Sequence, residues 1–472
     1  MRKDQESVDK GYTAVPKDLL RKYDRPGPRY TSYPTVPVWS EAFGPTDYAH
    51  HLARFAETDH PLSVYVHIPF CHERCTYCGC NVVIAQRLDT VDRYFEYLFR
   101  EIDRTAERLG GKRRLLQMHW GGGTPTFLSI PQIDRLWNKL TSTFAFDPGA
   151  EIGIEVDPRV TTSEQLRHLR KLGFNRLSMG VQDLTPEVQE AIGRGQTPQQ
   201  TDTTFRTGRE LGYEGINMDL VYGLPRQTLE NYQRAVEQIV AWRPDRLAVY
   251  SYAHVPWVKP HQMQINEADL PTGPDKFALF AIAIEHLVGA GYIPIGMDHF
   301  ALPEDELAQG LDNGRLHRNF MGYTVSLSRN MLGLGLSSIG EIGGCFAQND
   351  SRLGGYYRRL DETGFGVYRG WSLTRDDEIR REAILSIMCR MHLNLNDIGQ
   401  RFGILGQDYF ADELRRLTEF EDDGLIEMSD NGFVVLPMGR HFVRNIAMVF
   451  DAYLTKLQEG ATTKKPIFSR TV

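Results

Sequence analysis

The 472-residue chain is mildly acidic and has the composition of an ordinary globular protein, which excludes several classes. Its length predicts two or three domains. The excess of 61 acidic over 54 basic residues, a formal charge of −7, argues against a large nucleic-acid-binding surface. The polar start MRKDQESVDKGY does not resemble a secretory signal, and the apolar run Phe277–Ile284 is too short to span a bilayer. We therefore expect a cytoplasmic protein.

The first part of the chain is predicted to be irregular, and a regular alternation follows it. Proline and glycine in RPGPRYTSYPT (Arg25–Thr35) suppress regular structure, so residues 1–62 are expected to form an N-terminal extension near the active site. The predicted strands are Ser63–Ile68, Leu115–Trp120, Glu151–Val156, Arg176–Val181, Ile216–Val221, Arg246–Ser251 and Tyr292–Met297. The predicted helices between them are Thr90–Leu109, Pro131–Phe144, Ser163–Leu172, Thr201–Leu211 and Leu229–Trp242. This alternation predicts a parallel sheet in an α/β domain over residues 63–370, with function at the carboxyl ends of the strands.

Polar or glycine-rich segments follow six of these strands, where such a function would lie. They are Cys71, Gly121–Thr124, Glu155–Pro158, Gln182-Asp183, Asp219 and Tyr252–His254. Loops are polar in any protein, so one such end would mean little. Six such segments at the same ends of successive strands favour a functional site there.

The last hundred residues, 371–472, are predicted to form a mainly helical domain. Its helices are expected at Asp376–Met391, Asp408–Asp422 and Pro437–Leu457, with a hairpin at Leu425–Leu436 around Asn431-Gly432. Helices followed by a hairpin are similar to a winged-helix module, which can bind nucleic acid. Because no basic stripe accompanies them, we favour a packing role.

Four of the six cysteines lie in the ten residues CHERCTYCGC, which indicates a metal centre. Cys71, Cys75 and Cys78 have the spacing C-x3-C-x2-C, and thiolates bind zinc or iron–sulfur clusters. A structural zinc site usually pairs two cysteine knuckles, and no second one is present because Cys345 and Cys389 stand alone. A [4Fe–4S] cluster with one iron open to another ligand is therefore favoured over zinc.

This spacing after a first strand, with the aromatic residue Tyr77 before the third cysteine, resembles the signature of radical S-adenosylmethionine enzymes. The resemblance implies a partial, open TIM-like β/α barrel. It also implies that three thiolates hold three irons and that S-adenosylmethionine chelates the fourth. The reduced cluster of that family donates one electron to the sulfonium and releases a 5′-deoxyadenosyl radical.

Within that superfamily, nearly the whole chain resembles the oxygen-independent coproporphyrinogen III oxidases. The shared blocks are GPRYTSYPT, YVHIPFCHERCTYCGCN, HWGGGTPT, IEVDPR, FNRLSMGVQD, DLVYGLP, IGMDHFA, HRNFMGYT and RNIAMVFDAYL. The resemblance implies oxidative decarboxylation of two propionates of coproporphyrinogen III to vinyl groups, giving protoporphyrinogen IX in haem biosynthesis. We expect Arg29 and Arg318, which lie in two of these blocks, to bind the anionic substrate.

The resemblance also implies that two S-adenosylmethionine molecules bind side by side. The first is expected at Tyr65, Gly122, Glu155 and Ile339, and Tyr65 and Glu155 are also expected to be catalytic. Gly123 and Thr124 are expected between the two molecules. The second is expected at Tyr77, Gln182, Arg194, Asp219 and Ala253. Taken singly, these residues have ordinary alternatives: a tight glycine turn, a helix cap, a solvated arginine or a core aromatic side chain.

Several alternatives stay open at the level of sequence. Haem-binding chaperones share the cysteine loop, but they typically lack GPRYTSYPT and have an aromatic residue where Cys80 stands. An enzyme that modifies tRNA or another cofactor would be expected to have a basic face, and none is visible. We interpret Cys80 as a residue near the cluster that does not bind it, and Cys345 and Cys389 as buried thiols. We further expect an unidentified electron donor and a monomer.

Overall fold

The computed structural model describes residues 15–87, 89–326, 328–459 and 468–471. These residues form two compact units. The sheet unit contains Ser40–Lys276 and Ser326–Ser372, and the helical unit contains Met1–Trp39, Phe277–Val325 and Leu373–Val472. The predicted division at residues 62 and 370 stays a prediction.

The elements are numbered here in chain order. The strands are β1 Leu62–Ile68, β2 Phe70–Cys71, β3 Val83–Ile84, β4 Arg114–Gly122, β5 Ala145–Val156, β6 Arg176–Gln182, β7 Gly215–Tyr222, β8 Arg246–Ser251, β9 Ile293–Gly296, β10 His299–Ala301, β11 His317–Asn319, β12 Gly322–Thr324, β13 Met331–Leu334, β14 Ile339–Ile342, β15 Cys345–Asn349, β16 Val367–Ser372, β17 His392–Asn394, β18 Ile426–Ser429 and β19 Gly432–Val435. The helices are α1 Lys17–Tyr23, α2 Pro45–Ala56, α3 Asp89–Arg108, α4 Ile130–Thr143, α5 Ser163–Leu172, α6 Pro186–Ala191, α7 Pro198–Glu210, α8 Leu229–Trp242, α9 Gly273–Gly289, α10 Glu306–Asp312, α11 Leu353–Thr363, α12 Arg375–Arg390, α13 Leu395–Phe402, α14 Gly406–Tyr409, α15 Ala411–Asp422, α16 Val443–Met448 and α17 Leu454–Glu459.

The sheet unit is built on one open sheet with the strand order β16-β15-β14-β13-β1-β4-β5-β6-β7-β8. Neighbours from β13 to β8 are parallel, whereas β14, β15 and β16 are joined by antiparallel pairings. The order of the parallel strands from β1 to β8 follows the chain, and helices α3 to α8 make the crossovers, as repeated βα units require. The predicted parallel α/β sheet is therefore confirmed.

Local sequence explains why these elements begin and end where they do. All but the central residue of β1, LSVYVHI, are buried, as expected for a strand covered on both faces. Helix α5 begins after Thr162, whose hydroxyl accepts a 3.1 Å hydrogen bond from the backbone N–H of Gln165. It ends at Gly173, where φ is +110° and a left-handed cap favours glycine. The predicted bounds of α5 and α8 are those of the structure.

The seventh predicted strand, Tyr292–Met297, does not continue the parallel series. It forms β9, which lies in the helical unit and pairs antiparallel with β10. The backbone of Met297 adopts φ +47°, in the left-handed region, and the chain reverses there. A tight reversal produces an antiparallel hairpin, whereas a parallel pair would need a long crossover.

The helical unit has its own apolar core and a small sheet ordered β17-β19-β18. The predicted hairpin around Asn431-Gly432 is confirmed as β18 and β19. The predicted helix Pro437–Leu457 is instead divided into a short 3₁₀ turn, α16 and α17. Between α16 and α17, the Asp451 carboxylate accepts a 2.9 Å bond from the backbone N–H of Tyr453, a local bond that competes with helix formation.

None of the helices in the described ranges combines the length and apolarity that a membrane crossing requires.

Candidate functional site

The cysteine loop is fixed at both ends beside the carboxyl end of β1. It leaves β2 at Cys71 and returns through β3, which pairs parallel with β2. The backbone N–H of Val83 donates to the carbonyl of Pro69 at 2.7 Å, and that of Ala85 donates to the carbonyl of Cys71 at 3.1 Å. These bonds close the loop, so its three predicted ligand cysteines are presented from one short segment.

The three thiols have different surroundings. Cys75 is buried, with 7% of its surface exposed, whereas Cys71 and Cys78 are partly exposed. Burial raises the pKa of Cys71 to about 11, although its sulfur lies 3.5 Å from the Thr124 hydroxyl. A hydrogen bond with the Cys80 thiol lowers the pKa of Cys78 to about 6. Cys345 and Cys389 are both buried, as predicted.

The donor set fits a cluster better than a single zinc ion. Among the described residues, no three His, Cys, Asp or Glu side chains converge as the ligands of one metal ion do. In a four-iron cluster each thiolate binds a different iron, so its sulfurs need not converge on one point. Three soft thiolates on one loop meet that requirement.

A segment after β8 holds the outer part of the cysteine loop. The Lys259 ammonium donates to the carbonyl of Cys80 at 3.4 Å, and the His261 ring contacts the carbonyl of Cys78 through Nε2 at 2.8 Å. The Gln262 side chain donates to the carbonyl of Tyr77 at 3.0 Å. Sequence reasoning missed these contacts, because binding to a backbone carbonyl leaves no motif.

The glycines at the end of β4 are required by close packing. Gly122 has φ +121°, and a Cβ atom there would lie 2.6 Å from the His67 ring. A Cβ atom on Gly123 would lie 2.6 Å from the carbonyl carbon and oxygen of Pro69. Glycine also lets the backbone approach a bound ligand closely. The glycines therefore form a tight turn after β4. The backbone N–H of Gly123 donates to the carbonyl of Ile68 in β1 at 2.9 Å, which places the turn beside the cysteine loop.

Glu155 is the last residue but one of β5 and faces the glycine turn. Its carboxylate accepts a 2.9 Å hydrogen bond from the backbone N–H of Gly122 and lies 3.4 Å from Nε2 of His119. Burial acts to raise the pKa of Glu155, but the hydrogen bonds from His119 and Gly122 outweigh it and lower that pKa. The Tyr65 ring stacks on His119 with centroids 6.2 Å apart. The Tyr65 hydroxyl lies 3.1 Å from Nδ1 of His67, which is buried in β1.

Ile339 lies on the same side of the sheet unit as Tyr65. In the parallel pairing of β1 with β13, Tyr65 is opposite Gly333. A Cβ atom on Gly333 would lie 2.5 Å from the backbone carbonyl of Ile339, at the start of β14. The four residues expected at the first S-adenosylmethionine thus lie on the adjacent strands β1, β4 and β5 and on β14, which β13 separates from β1.

The second expected group lies at the ends of the following strands. Gln182 is buried with φ +70°, at an irregularity in the pairing of β6 with β7. Asp219 in β7 accepts a 2.8 Å hydrogen bond from the Asn217 amide, and burial raises its pKa to about 7. Ala253 follows β8, and its carbonyl accepts a 3.3 Å bond from Gln262.

Arg194 is a buried residue of this group, not a solvated one. Its side chain is 7% exposed and lies 3.3 Å from the Asp157 carboxylate. It donates to the carbonyl of Gly180 at 2.7 Å and to the Gln196 amide oxygen at 2.9 Å. Burial raises the pKa of the Tyr77 hydroxyl, and the positive charge of Arg194 opposes that rise.

Sequence reasoning named no role for three residues that the structure places here. His119 contacts Glu155, and Asp157 and Arg159 contact Arg194, through the Asp157 carboxylate and the Arg194 carbonyl. All three lie in quoted blocks, HWGGGTPT and IEVDPR, but a block does not show which side chains meet. The signal that could have found Asp157 and Arg159 is an ion pair two residues apart directly after a strand end.

Comparisons with known proteins agree with this arrangement. The sequence profile of the Radical SAM superfamily matches residues 65–239, and that of the HemN C-terminal domain matches residues 373–442. The oxygen-independent coproporphyrinogen III oxidase of Escherichia coli is 45% identical over 92% of this chain and 95% of its own. Its counterpart in Pseudomonas aeruginosa is 44% identical over 93% of this chain and 96% of its own. A third, from a Synechocystis strain, is 39% identical over 96% and 97%.

A solved structure gives the same answer at the level of the fold. Coproporphyrinogen III oxidase from Escherichia coli, which its authors describe as a radical SAM enzyme, superposes with a TM-score of 0.89 at 44% identity. The superposition covers 94% of this chain and all of that one. The predicted fold of the radical S-adenosylmethionine type is thereby confirmed. A [4Fe–4S] cluster and S-adenosylmethionine are the cofactors of that superfamily. The chain belongs to the oxygen-independent coproporphyrinogen III oxidase family of the radical S-adenosylmethionine superfamily.

Proposed function

We propose that this protein converts coproporphyrinogen III to protoporphyrinogen IX by oxidative decarboxylation of two propionate side chains. The observation that carries the proposal is the three-cysteine loop beside Glu155 and the glycine turn, in a chain similar over nine tenths of its length to oxidases of that name. Each vinyl group formed requires loss of a hydrogen from the propionate β-carbon, then of carbon dioxide and one electron.

With S-adenosylmethionine bound, the cluster would supply one-electron chemistry. The protein's own residues bind and orient. Cys71, Cys75 and Cys78 hold the cluster. Glu155 keeps its negative charge because its pKa is lowered, so its carboxylate is available to an ammonium or hydroxyl donor. The Tyr65 ring, held between His119 and His67, offers an apolar wall.

We further propose that two S-adenosylmethionine molecules bind next to each other. The first would contact Tyr65, Gly122, Glu155 and Ile339, and the second Tyr77, Gln182, Arg194, Asp219 and Ala253, with Gly123 and Thr124 between them. The support is that the first group lies on β14, β1, β4 and β5, whereas Gln182 and Asp219 lie on β6 and β7 and Ala253 follows β8. Tyr77 lies in the cysteine loop, and Arg194 lies between α6 and α7. Binding stoichiometry tests this. Equilibrium dialysis of the anaerobic protein should give two molecules per cluster, and Asp219→Asn should reduce the count toward one.

Of the two arginines expected to bind propionate, we propose Arg318. Arg29 forms an ion pair with Asp298, so its charge is already compensated. Arg318 is 6% exposed, its guanidinium stacks on Tyr323 at 4.6 Å, and its Nε and Nη1 atoms have no hydrogen-bond partner among the described residues. A buried guanidinium with spare donors suits a carboxylate. Arg318→Gln should raise the KM for coproporphyrinogen III with iron content unchanged; an unaltered KM would remove the assignment.

The release of 5′-deoxyadenosine tests the function as a whole. Protein reconstituted with iron and sulfide, under strict anaerobic conditions with a strong reductant, should release more of it when coproporphyrinogen III is present. Two carbon dioxide molecules should accompany each protoporphyrinogen IX. If the release of 5′-deoxyadenosine does not change when coproporphyrinogen III is added, the radical chemistry would be retained and the proposed substrate would be overturned. Cys78→Ala serves as the control that should release none.

A further inference from the structure

Two arginines donate to the sulfur of one cluster cysteine. Nη2 of Arg159 lies 3.8 Å from the Cys75 sulfur, and Nη1 of Arg194 lies 3.9 Å from it. These lengths are ordinary for hydrogen bonds to sulfur, whose radius exceeds that of oxygen. Cys75 is also the most buried of the three ligand cysteines. Its thiolate therefore has two cationic donors in a region with little water.

Asp157 fixes both arginines in this position. Its carboxylate accepts from Nε of Arg159 at 3.1 Å and from Nη2 at 2.7 Å, and it lies 3.3 Å from Nη2 of Arg194. Nη1 of Arg159 also donates to the backbone carbonyl of Arg194 at 2.8 Å. One carboxylate and one backbone carbonyl thus hold two guanidinium groups against a single sulfur, and the three side chains together carry two positive charges and one negative charge.

The hydrogen-bonding partners of the other two ligand sulfurs are neutral. The Cys71 sulfur lies 3.5 Å from the Thr124 hydroxyl, and Cys78 shares its hydrogen bond with the Cys80 thiol. Among the described contacts, charged donors therefore reach the Cys75 sulfur directly, whereas Lys259 and Arg194 act on Cys78 only through their charge. An asymmetry of this kind has no effect on whether three thiolates bind irons. It does affect the electrostatic potential that the irons experience.

We propose that Arg159 is a positioning residue that raises the reduction potential of the cluster through the Cys75 thiolate. Reduction adds one negative charge to the cluster. Donors and positive charge beside a sulfur ligand stabilise the more negative state, and low local dielectric strengthens the effect. The inference depends on the cluster of this family and not on the substrate proposed above, so it can fail or hold independently of that substrate.

Arg159 is the better residue to test, because Arg194 is also expected to contact S-adenosylmethionine. We would titrate reconstituted protein under anaerobic conditions and follow the reduced cluster by electron paramagnetic resonance, with neither S-adenosylmethionine nor substrate added. Arg159→Gln is expected to keep its iron and to show a more negative midpoint potential. Arg167→Gln removes an equal charge from an exposed position of α5 and is expected to leave the potential unchanged.

A second variant makes the sign of the effect decisive. Asp157→Asn removes the negative charge between the two arginines, so the midpoint potential should become more positive. Simple damage to the loop gives no reason for opposite shifts in Arg159→Gln and Asp157→Asn. A full iron complement with the wild-type potential in Arg159→Gln would overturn the proposal. If Arg159→Gln does not retain iron, Asp157→Asn decides alone: a positive shift supports the proposal, and no shift or a negative one overturns it.

Discussion

Two carboxyl side chains of the sheet unit, those of Glu101 and Asp219, differ in how many hydrogen bonds they accept. Glu101 of α3 is 3% exposed and accepts hydrogen bonds from the Gly335 N–H at 2.8 Å, the Tyr356 hydroxyl at 2.7 Å and the Asn349 amide at 2.5 Å. We call these four residues the Glu101 cluster. Asp219, at the strand-end site, accepts one side-chain hydrogen bond, from Asn217. The fold fully satisfies the first carboxylate and only partly satisfies the second.

The difference separates groups that stabilise the fold from groups that serve a ligand. Burial raises the pKa of Glu101 even though its three donors oppose the rise, so this carboxyl depends on every one of them. Glu101 also orders the segment that leads from β13 to Ile339, because it binds the backbone of Gly335. Substitutions in the Glu101 cluster should therefore affect stability first, and substitutions at the strand ends should affect activity first.

The largest effect is expected from Cys75→Ala. Loss of one of three thiolates should prevent the cluster from assembling, so the iron content and the release of 5′-deoxyadenosine should both fall to background after reconstitution. The thermal midpoint of the apoprotein should remain near that of the wild type, because a small buried side chain is replaced by another. Cys345→Ala is the matched control: an equally buried cysteine outside the site, which should keep its iron. An iron-loaded, active Cys75→Ala variant would contradict the cluster assignment.

Glu155→Gln should leave the fold intact and reduce turnover strongly. The change keeps the shape of the side chain but removes the charge, and charge-assisted hydrogen bonds contribute about 1.5–3 kcal/mol each. We expect kcat/KM for S-adenosylmethionine to fall by about 10- to 100-fold with the same iron content. Glu151→Gln, in the middle of the same strand β5, is the control and should lose little activity. Equal losses in the two variants would show that β5, and not the Glu155 carboxylate, is responsible.

Glu101→Leu should lower stability and leave turnover largely unchanged, the reverse of the result expected for Glu155→Gln. It removes the acceptor of two buried donors, the Gly335 N–H and the Tyr356 hydroxyl, whereas the Asn349 amide keeps the Gly335 carbonyl at 2.8 Å. Each buried donor left unpaired costs about 1–3 kcal/mol, so we expect a decrease of about 2–4 kcal/mol in the free energy of unfolding after partial relaxation. Below its lowered thermal midpoint, the variant should retain most of its kcat. Glu101→Gln keeps one carbonyl oxygen as an acceptor and should be affected less. Denaturant unfolding of the three proteins measures this; a stable but inactive Glu101→Leu variant would contradict the comparison.

The sequence was sufficient for the parallel strands β1 and β4 to β8 and insufficient for the rest of the sheet. Strands such as β1 are buried on both faces and read as continuous apolar runs, and α5 and α8 carry their caps in the sequence. The parallel strand β13 and the antiparallel strands β14 to β16 were missed, although Gly343-Gly344 forms the two-residue turn between β14 and β15 and is a local hairpin signal. The break before α17 was missed because a single Asp451 side chain decides it.

The site shows the same limit. Motif positions predicted that Tyr65, Glu155 and Arg194 gather near the carboxyl edge of the sheet, where the ends of parallel strands meet, and their contacts with a cofactor stay a prediction. They did not reveal that His119 and Gly122 hold Glu155 ionised, or that Asp157 and Arg159 hold Arg194 against Cys75. Those contacts depend on side-chain directions, which spacing along the chain does not determine.

The smallest expected effect, in Asp219→Asn, tests the comparison through its pH dependence. The pKa of Asp219 is about 7 in the folded protein and has an ordinary value of 3.8, so between these pH values the folded state binds more protons than the unfolded state. The carboxylate therefore lowers stability progressively as pH rises from about 4 to about 7, and by a constant amount above. Because Asp219 is partly exposed and water screens its charge, we expect the full difference to be about 1–2 kcal/mol.

Asp219→Asn should consequently be more stable than the wild type at pH 8 and indistinguishable from it at pH 4, in denaturant unfolding measured across that range. It should also bind less S-adenosylmethionine, since asparagine cannot supply the charge. A variant that gains stability while it loses ligand affinity would show that the Asp219 carboxylate serves ligand binding at a cost in the free energy of unfolding. A stability difference that does not change between pH 4 and pH 8 would mean that Asp219 titrates normally, and the contrast with Glu101 would then concern hydrogen bonding alone.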